Sequence, residues 1–278
     1  MKSNERSIIR HLNGRDAYKD MMRDGPCRLK LFACEILFRE LCSLVAVSKN
    51  RIDVEFLPKG LHDIGRPGMS SRIRKALETV NEDDYDAILL GYALCSGGVV
   101  GLEARKIPIV VPRAHDCITL FLGDRKTYHD YFFANPGTYF KTTGWIERGG
   151  ELVQGVPDSV AEKLGLNMSM QAMIERYGED NARYLWEQMA SMQFYTKLVF
   201  IETGVEPNDW YERATIKLAE ERGWEFEKLN GDLSLLRRLL DGPWNEDFLI
   251  VPPGHRIEFS YDDDIMRIEE IKGVIPQD

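Results

Sequence analysis

Apolar residues along this chain come in short bursts whose spacing switches between two periods. RLKLFACE (28–35) is a compact apolar run of strand type, and ILFRELCSLVAVSKN after it sets Ile36, Leu37, Leu41, Leu44 and Val45 at helical spacing. RIDVEFLPKGLHD (51–63) alternates as a strand and stops at Pro58 and Gly60, while RPGMSSRIRKALETV reads as a helix with Ser70 or Ser71 near its start. YDAILLGYALC supplies a third strand and ARKIPIVVPRAHDC (104–117) a fourth. In the C-terminal third the order is strand TKLVFIETG, helix DWYERATIKLAEERG, strand WEFEKLNGD, helix LSLLRRLLDG and strand EDFLIVPPGHR. Strands that alternate with helices pair in parallel through right-handed crossovers, so the predicted class is α/β: two Rossmann-like halves with mainly parallel sheets.

The halves also resemble each other. LKLFACE lies over KLVFIETG, VEFLPKGLHD over EFEKLNGD, and YDAILLGYALC over EDFLIVPPGH, which predicts an internal duplication of a three-strand unit. Convergent strand–helix periodicity is the alternative. Between them, YHDYFFANPGTYFKTTGWIERGGEL is aromatic and turn-rich, and PDSVAEKLGLNMSMQAMIERYGEDNARYLWEQMASMQF reads as two Met-rich helices. The predicted organisation is a half over 1–123, an aromatic and helical insert or lid over 124–195, and a second half over 196–278.

Composition narrows the function class. With 44% hydrophobic and 10% aromatic residues the chain can fill a large core, and a net charge of -9 argues against binding nucleic acid, which needs clustered Lys and Arg. The first 25 residues scatter charge and hold no secretory apolar stretch, and no window approaches a spanning helix, so the expectation is a cytoplasmic protein without a membrane partner. Five cysteines without dense spacing point to reduced thiols, open to metals or to nucleophilic roles.

In open α/β sheets ligands bind beyond the carboxyl ends of the strands. Cys34, Cys95 and Cys117 each hold that position on a different predicted strand, whereas Cys27 beside Pro26 and Cys42 on an apolar helical face are expected to be structural. Three thiolates at one mouth repel unless a cation neutralises them, so a metal is the natural occupant, with inert thiols or a lone nucleophilic Cys95 as alternatives. A [4Fe-4S] cluster with an open iron leads, because Ser96, Gly97 and Gly98 after Cys95 let the backbone approach a bulky group. Zinc is the alternative, since His115-Asp116-Cys117 is a His-x-Cys pair with a carboxylate to orient the imidazole. His62, His115, His255 and Glu35 are candidate acid–base groups; Tyr92, Ser96, Gly97, Gly98, Arg113 and Arg256 are candidates for holding substrate, with Arg66 as a further anion grip. Tyr128 and His129 read as loop packing. Neither a Gly-x-Gly-x-x-Gly fingerprint nor a Walker A stretch occurs.

FACEILFREL, GYALCSGG, PRAHDCITLFLG and YFFANPGTYF together resemble the family designated domain of unknown function 1638, over about residues 28 to 240. That family is found mostly in anaerobes and archaea, often encoded near corrinoid-dependent methyltransferase systems. The resemblance implies one-carbon or methylamine-type metabolism, with a corrinoid protein or methyltransferase subunit as partner. A looser architectural similarity to quinolinate synthase, in which repeated α/β units each give one cysteine to a central [4Fe-4S] cluster, departs here: the second half offers Glu202, Asp232 and His255 instead. The combined expectation is an enzyme, a metal-dependent lyase or transferase, whose cluster acts on a small anionic substrate in anaerobic one-carbon or sulfur metabolism. A zinc-thiolate methyltransferase, a non-catalytic accessory or metallochaperone, and a metal-free small-molecule binder are the alternatives.

Overall fold

The computed structural model describes residues 25–62, 64–148, 174–175, 178–179, 181–183 and 195–271, without the side chains of residues 62 and 96. In chain order the elements are β1 (Arg28–Cys34), α1 (Phe38–Val45), β2 (Arg51–Leu57), α2 (Gly65–Glu78), β3 (Ala87–Gly91), β4 (Glu103–Ala104) and β5 (Ile109–Pro112). After them come α3 (Cys117–Leu122), α4 (Arg125–Ala134), β6 (Thr138–Lys141), α5 (Thr143–Arg148), β7 (Lys197–Glu202) and α6 (Trp210–Arg222). The chain continues through β8 (Glu225–Asn230), α7 (Ser234–Asp241), β9 (Phe248–Val251), β10 (His255–Phe259) and β11 (Met266–Glu270).

The first sheet has the order β2-β1-β3-β5-β9, parallel except for the β5–β9 edge. Its central strands read as unbroken apolar runs because both faces are covered, and every residue of β3, β5 and β9 is buried. The second sheet is β6-β7-β8, all parallel, and the third is a small antiparallel β11-β10-β4. The mixed α/β class with mainly parallel sheets is therefore as the periodicity implies.

The duplication does not carry through the topology. β1, β2 and β3 form the order 2-1-3, and β7 and β8 match its first two members, but β9, expected to complete the second unit, pairs antiparallel with β5 on the first sheet. Its place beside β7 is taken by β6, which comes from the aromatic segment expected as an insert. α7 likewise returns to the first sheet. It buries Leu235, Leu236, Leu239 and Leu240, and Asn50 Nδ2 donates to the Leu240 carbonyl at 2.8 Å. Each such leucine contributes about 2 kcal/mol of burial, which outweighs any preference for staying near β8. Most of the Met-rich stretch and the polar N-terminal stretch lie outside the described residues.

Candidate metal centre

β1 connects to β2 on one side of the first sheet, while β3 leads to β5 on the other, so the strand order reverses between β1 and β3. Crossovers diverge at such a point and leave a crevice at the carboxyl edge. Cys34 closes β1 at that crevice, and Cys95 follows β3 on the other side. The Leu94 and Cys95 amides donate to the Ala114 and His115 carbonyls at 2.8 and 3.0 Å, which lays the Cys95 turn along the segment leading to Cys117. Cys95 has φ 47°, a left-handed conformation that is unfavourable for a residue with a side chain and recurs at functional sites.

The thiols share an apolar environment. Burial pushes Cys34 up to about 11, against the opposing pull of the Ile36 amide. Burial also raises Cys95 to about 12, and the charge of Cys34 adds to it. Cys117 is held well above the ordinary thiol range by burial, then by Cys95 and Asp116. Burial, with smaller contributions from neighbouring negative charge, favours the protonated thiols at neutral pH, and no positive group among the described residues acts on Cys95, so its lone-nucleophile reading lacks the electropositive setting that a reactive thiol needs.

Buried donors around the thiols have no acceptor. Tyr92 is 1% exposed, its hydroxyl lacks a partner, and after burial Cys34 and Cys95 are the main influences that raise its pKa. On α5, the Trp145 indole N–H favours the thiolate form of Cys117 but reaches hydrogen-bonding geometry with no acceptor, and the Thr143 hydroxyl is buried without a partner. α5 sits against the turn after Cys34 so closely that a Cβ on Gly144 would lie 1.7 Å from the Ile36 carbonyl oxygen. Lys59 Nζ stacks 4.9 Å above the Trp145 ring and lowers the Cys34 pKa, which puts positive charge at this edge. Nothing in the pattern of TTGWIERGG marks Trp145 for this place; its role depends on α5 docking beside a remote turn.

Among the described residues, no group of three His, Cys, Asp or Glu side chains converges as a single metal ion would require. A lone zinc needs its sulfurs about 2.3 Å from one point, whereas a [4Fe-4S] cluster takes one thiolate per iron and spaces them apart. Three thiols beside an unpartnered hydroxyl and indole are the donors that a metal group bound at this crevice would meet.

Other expected residues part from the thiols. Asp116 does not orient His115: its carboxylate caps α3 by accepting the Ile118 amide at 3.0 Å and also accepts the Tyr128 hydroxyl at 2.8 Å. Capping turns Cys117 into the buried first residue of α3 and leaves His115 exposed, so the two do not share the extended-strand side on which the zinc pair relied. Tyr128, read as loop packing, thus helps fix the α3 start. Glu35 accepts the Lys59 amide at 2.8 Å and faces Arg148 at 3.7 Å, beside Cys34. Arg113 donates to the Asp264 and Met266 carbonyls, Arg256 pairs with Glu258 and Glu269, and His255 Nδ1 lies 3.1 Å from the Pro253 carbonyl. Arg256 thus ties β10 to β11 and Arg113 anchors the start of β11, while the His255 contact is local. Gly97 and Gly98 are explained by packing: a Cβ would lie 2.6 Å from Phe259 Cζ at the first and 2.3 Å from Met69 Sδ at the second. The side chains of His62 and Ser96 are outside the described set. Cys42, expected on an apolar face, is exposed, because Leu37, Leu41 and Leu44 form the buried stripe and leave it on the rim.

A family described as "Protein of unknown function (DUF1638)" matches residues 56–240. The chain belongs to that family. No curated protein and no solved structure matches it. The DUF1638 match takes in Cys95, Cys117, Tyr92 and Trp145, while Cys34 precedes it. No helix among the described residues of this DUF1638 chain is long and apolar enough to cross a membrane.

Proposed function

We propose that this DUF1638 protein is a metal-centre enzyme whose Cys34, Cys95 and Cys117 hold a [4Fe-4S] cluster at the crevice between β1 and β3. The observation that carries the reading is the unpartnered Tyr92 hydroxyl, 1% exposed among two of the three thiols. A buried donor without an acceptor costs about 1–3 kcal/mol, and a sulfide or thiolate of a bound cluster removes that cost. A cluster iron without a protein ligand supplies Lewis acidity toward a small anionic substrate. The chain's own part is to keep three thiols desolvated in one crevice, to aim the Tyr92 hydroxyl and Trp145 indole at them, and to set Lys59 beside Cys34 as a fixed positive charge. Anaerobic one-carbon or sulfur metabolism is the setting proposed, with a corrinoid protein or methyltransferase subunit as partner.

Metal and sulfide analysis of anaerobically purified full-length protein tests this. Brown protein with about four irons and four sulfides per chain, whose visible sulfur-to-iron band disappears in Cys95→Ala, is the expected result. Colourless protein with one zinc per chain overturns the cluster in favour of the zinc-thiolate alternative, and protein free of both metals sinks both.

A further inference from the structure

Outside the thiol crevice, a groove of about 490 Å³ opens between α2, the loop 97–101 and β10. Arg66, Ser70 and Arg74 follow one another at four-residue spacing along α2, so they line one face, and Ser71 lies beside them. Arg28, Arg39, Arg105, Arg238 and Arg256 all face carboxylates. Arg66 and Arg74 face none among the described residues. The Arg66 guanidinium stacks 4.6 Å from the Phe259 ring centroid and presses on Gly97, where an added Cβ would sit 3.0 Å from Arg66 Cδ. Arg74 Nη2 donates to the Gly101 carbonyl at 3.0 Å, and Ser70 Oγ donates to the Val100 carbonyl at 3.0 Å.

Arg66 is therefore held by Phe259 at the end of β10 and Arg74 by the Gly101 carbonyl, yet both keep most of their five N–H donors for another acceptor. Glu258 also lines the groove, but its carboxylate is engaged by Arg256 at 3.0 Å. In a chain of net charge -9, two guanidinium groups facing a groove whose carboxylate, Glu258, is paired with Arg256 are an anion site in the making. The volume exceeds that of a bare inorganic ion and falls in the range of small-molecule pockets.

We propose that this groove binds a phosphate-bearing small molecule, with Arg66 and Arg74 gripping the phosphate oxygens and the exposed Ser71 hydroxyl adding a donor. The groove adjoins the Cys95 turn through Gly97 but uses none of the thiols, so phosphate binding and metal content are read by separate measurements and each reading can fail without the other. Isothermal titration of full-length protein with inorganic pyrophosphate at low ionic strength tests it, with malonate at equal ionic strength as the carboxylate control. Saturable pyrophosphate binding is expected, weakened at least tenfold in Arg74→Gln and in Ser71→Glu, unchanged in Lys106→Gln on a distant surface ion pair, and at least tenfold tighter than malonate. Ser71 is exposed, so that variant keeps the test valid if an arginine variant folds poorly. Absence of saturable binding, equal affinity in Arg74→Gln and Ser71→Glu, an equal loss in Lys106→Gln, or tighter binding of malonate would each overturn the proposal.

Discussion

Replacing Glu40 by Gln is expected to stabilise the protein at alkaline pH while leaving it nearly unchanged at pH 5. Glu40 lies on α1, 0% exposed, with Oε1 2.9 Å from the Thr203 hydroxyl and Oε2 without any partner. The same hydroxyl is 3.1 Å from Glu206 Oε1, and Glu206 already accepts the Thr203 and Gly204 amides at 2.8 Å each. One hydroxyl proton cannot serve two carboxylates. If Glu40 is protonated, it donates to Thr203 and Thr203 donates to Glu206, so the chain is complete with Glu206 ionised. Burial, with Glu206 and Glu147 adding repulsion, raises Glu40 to about 7 from its ordinary 4.5 despite the opposing Thr203 bond. Folded protein thus binds the proton more tightly than unfolded chain does. The corresponding stability is fully present below pH 4.5 and is lost as pH rises through about 7. At about 1.36 kcal/mol per decade, the loss approaches about 3 kcal/mol above pH 8. Glutamine keeps the shape and a donor but has no charge to bury. Urea unfolding midpoints of both proteins between pH 5 and 9 should therefore diverge as pH rises, with the variant more stable by up to about 3 kcal/mol at the top. Parallel pH profiles, or a less stable variant at pH 8, would refute the protonated-Glu40 reasoning.

Three further outcomes follow from the crevice. Tyr92→Phe removes a buried hydroxyl without a partner, so thermal unfolding of the metal-free protein should show no loss or a gain of about 1 kcal/mol, while the loaded protein should lose its visible band to a chelator faster than wild type. Gly144→Ala places a Cβ 1.7 Å from the Ile36 carbonyl oxygen and should cost about 3 kcal/mol or more in urea unfolding; a loss under 1 kcal/mol would mean α5 docks less closely than described. In metal-free protein at pH 7.5, mass spectrometry after brief iodoacetamide treatment should find Cys42 modified well before Cys34, held at about 11, and Cys95, held at about 12; equal rates would contradict their desolvation.

The α/β class and the crevice thiols were legible because they depend on local pattern. A parallel sheet sends all carboxyl ends to one edge, so placing Cys34 and Cys95 near the ends of their strands was enough to bring them together. Cys117 reached the same edge by another route, as the first residue of a helix that Asp116 caps, and the His-x-Cys spacing could not reveal that turn. Glu40 carried no signal at all: within FRELCSLV it reads as a polar surface position, and only the docking of the 203–206 loop buries it.

By itself, then, the sequence determined where strands and helices form and which edge of the first sheet gathers sulfur, since hydrophobic period and parallel pairing act over a few residues. Tertiary structure decided which strand pairs with which. β9 leaves its apparent repeat for the edge of the first sheet, and β6 fills the place beside β7, because strand pairing is settled by the burial available at each sheet edge rather than by order along the chain. Packing also decided that Tyr92 and Trp145 point unpartnered donors into the thiol crevice and that Gly97 and Gly98 accommodate Phe259 and Met69, contacts between segments that no local spacing encodes.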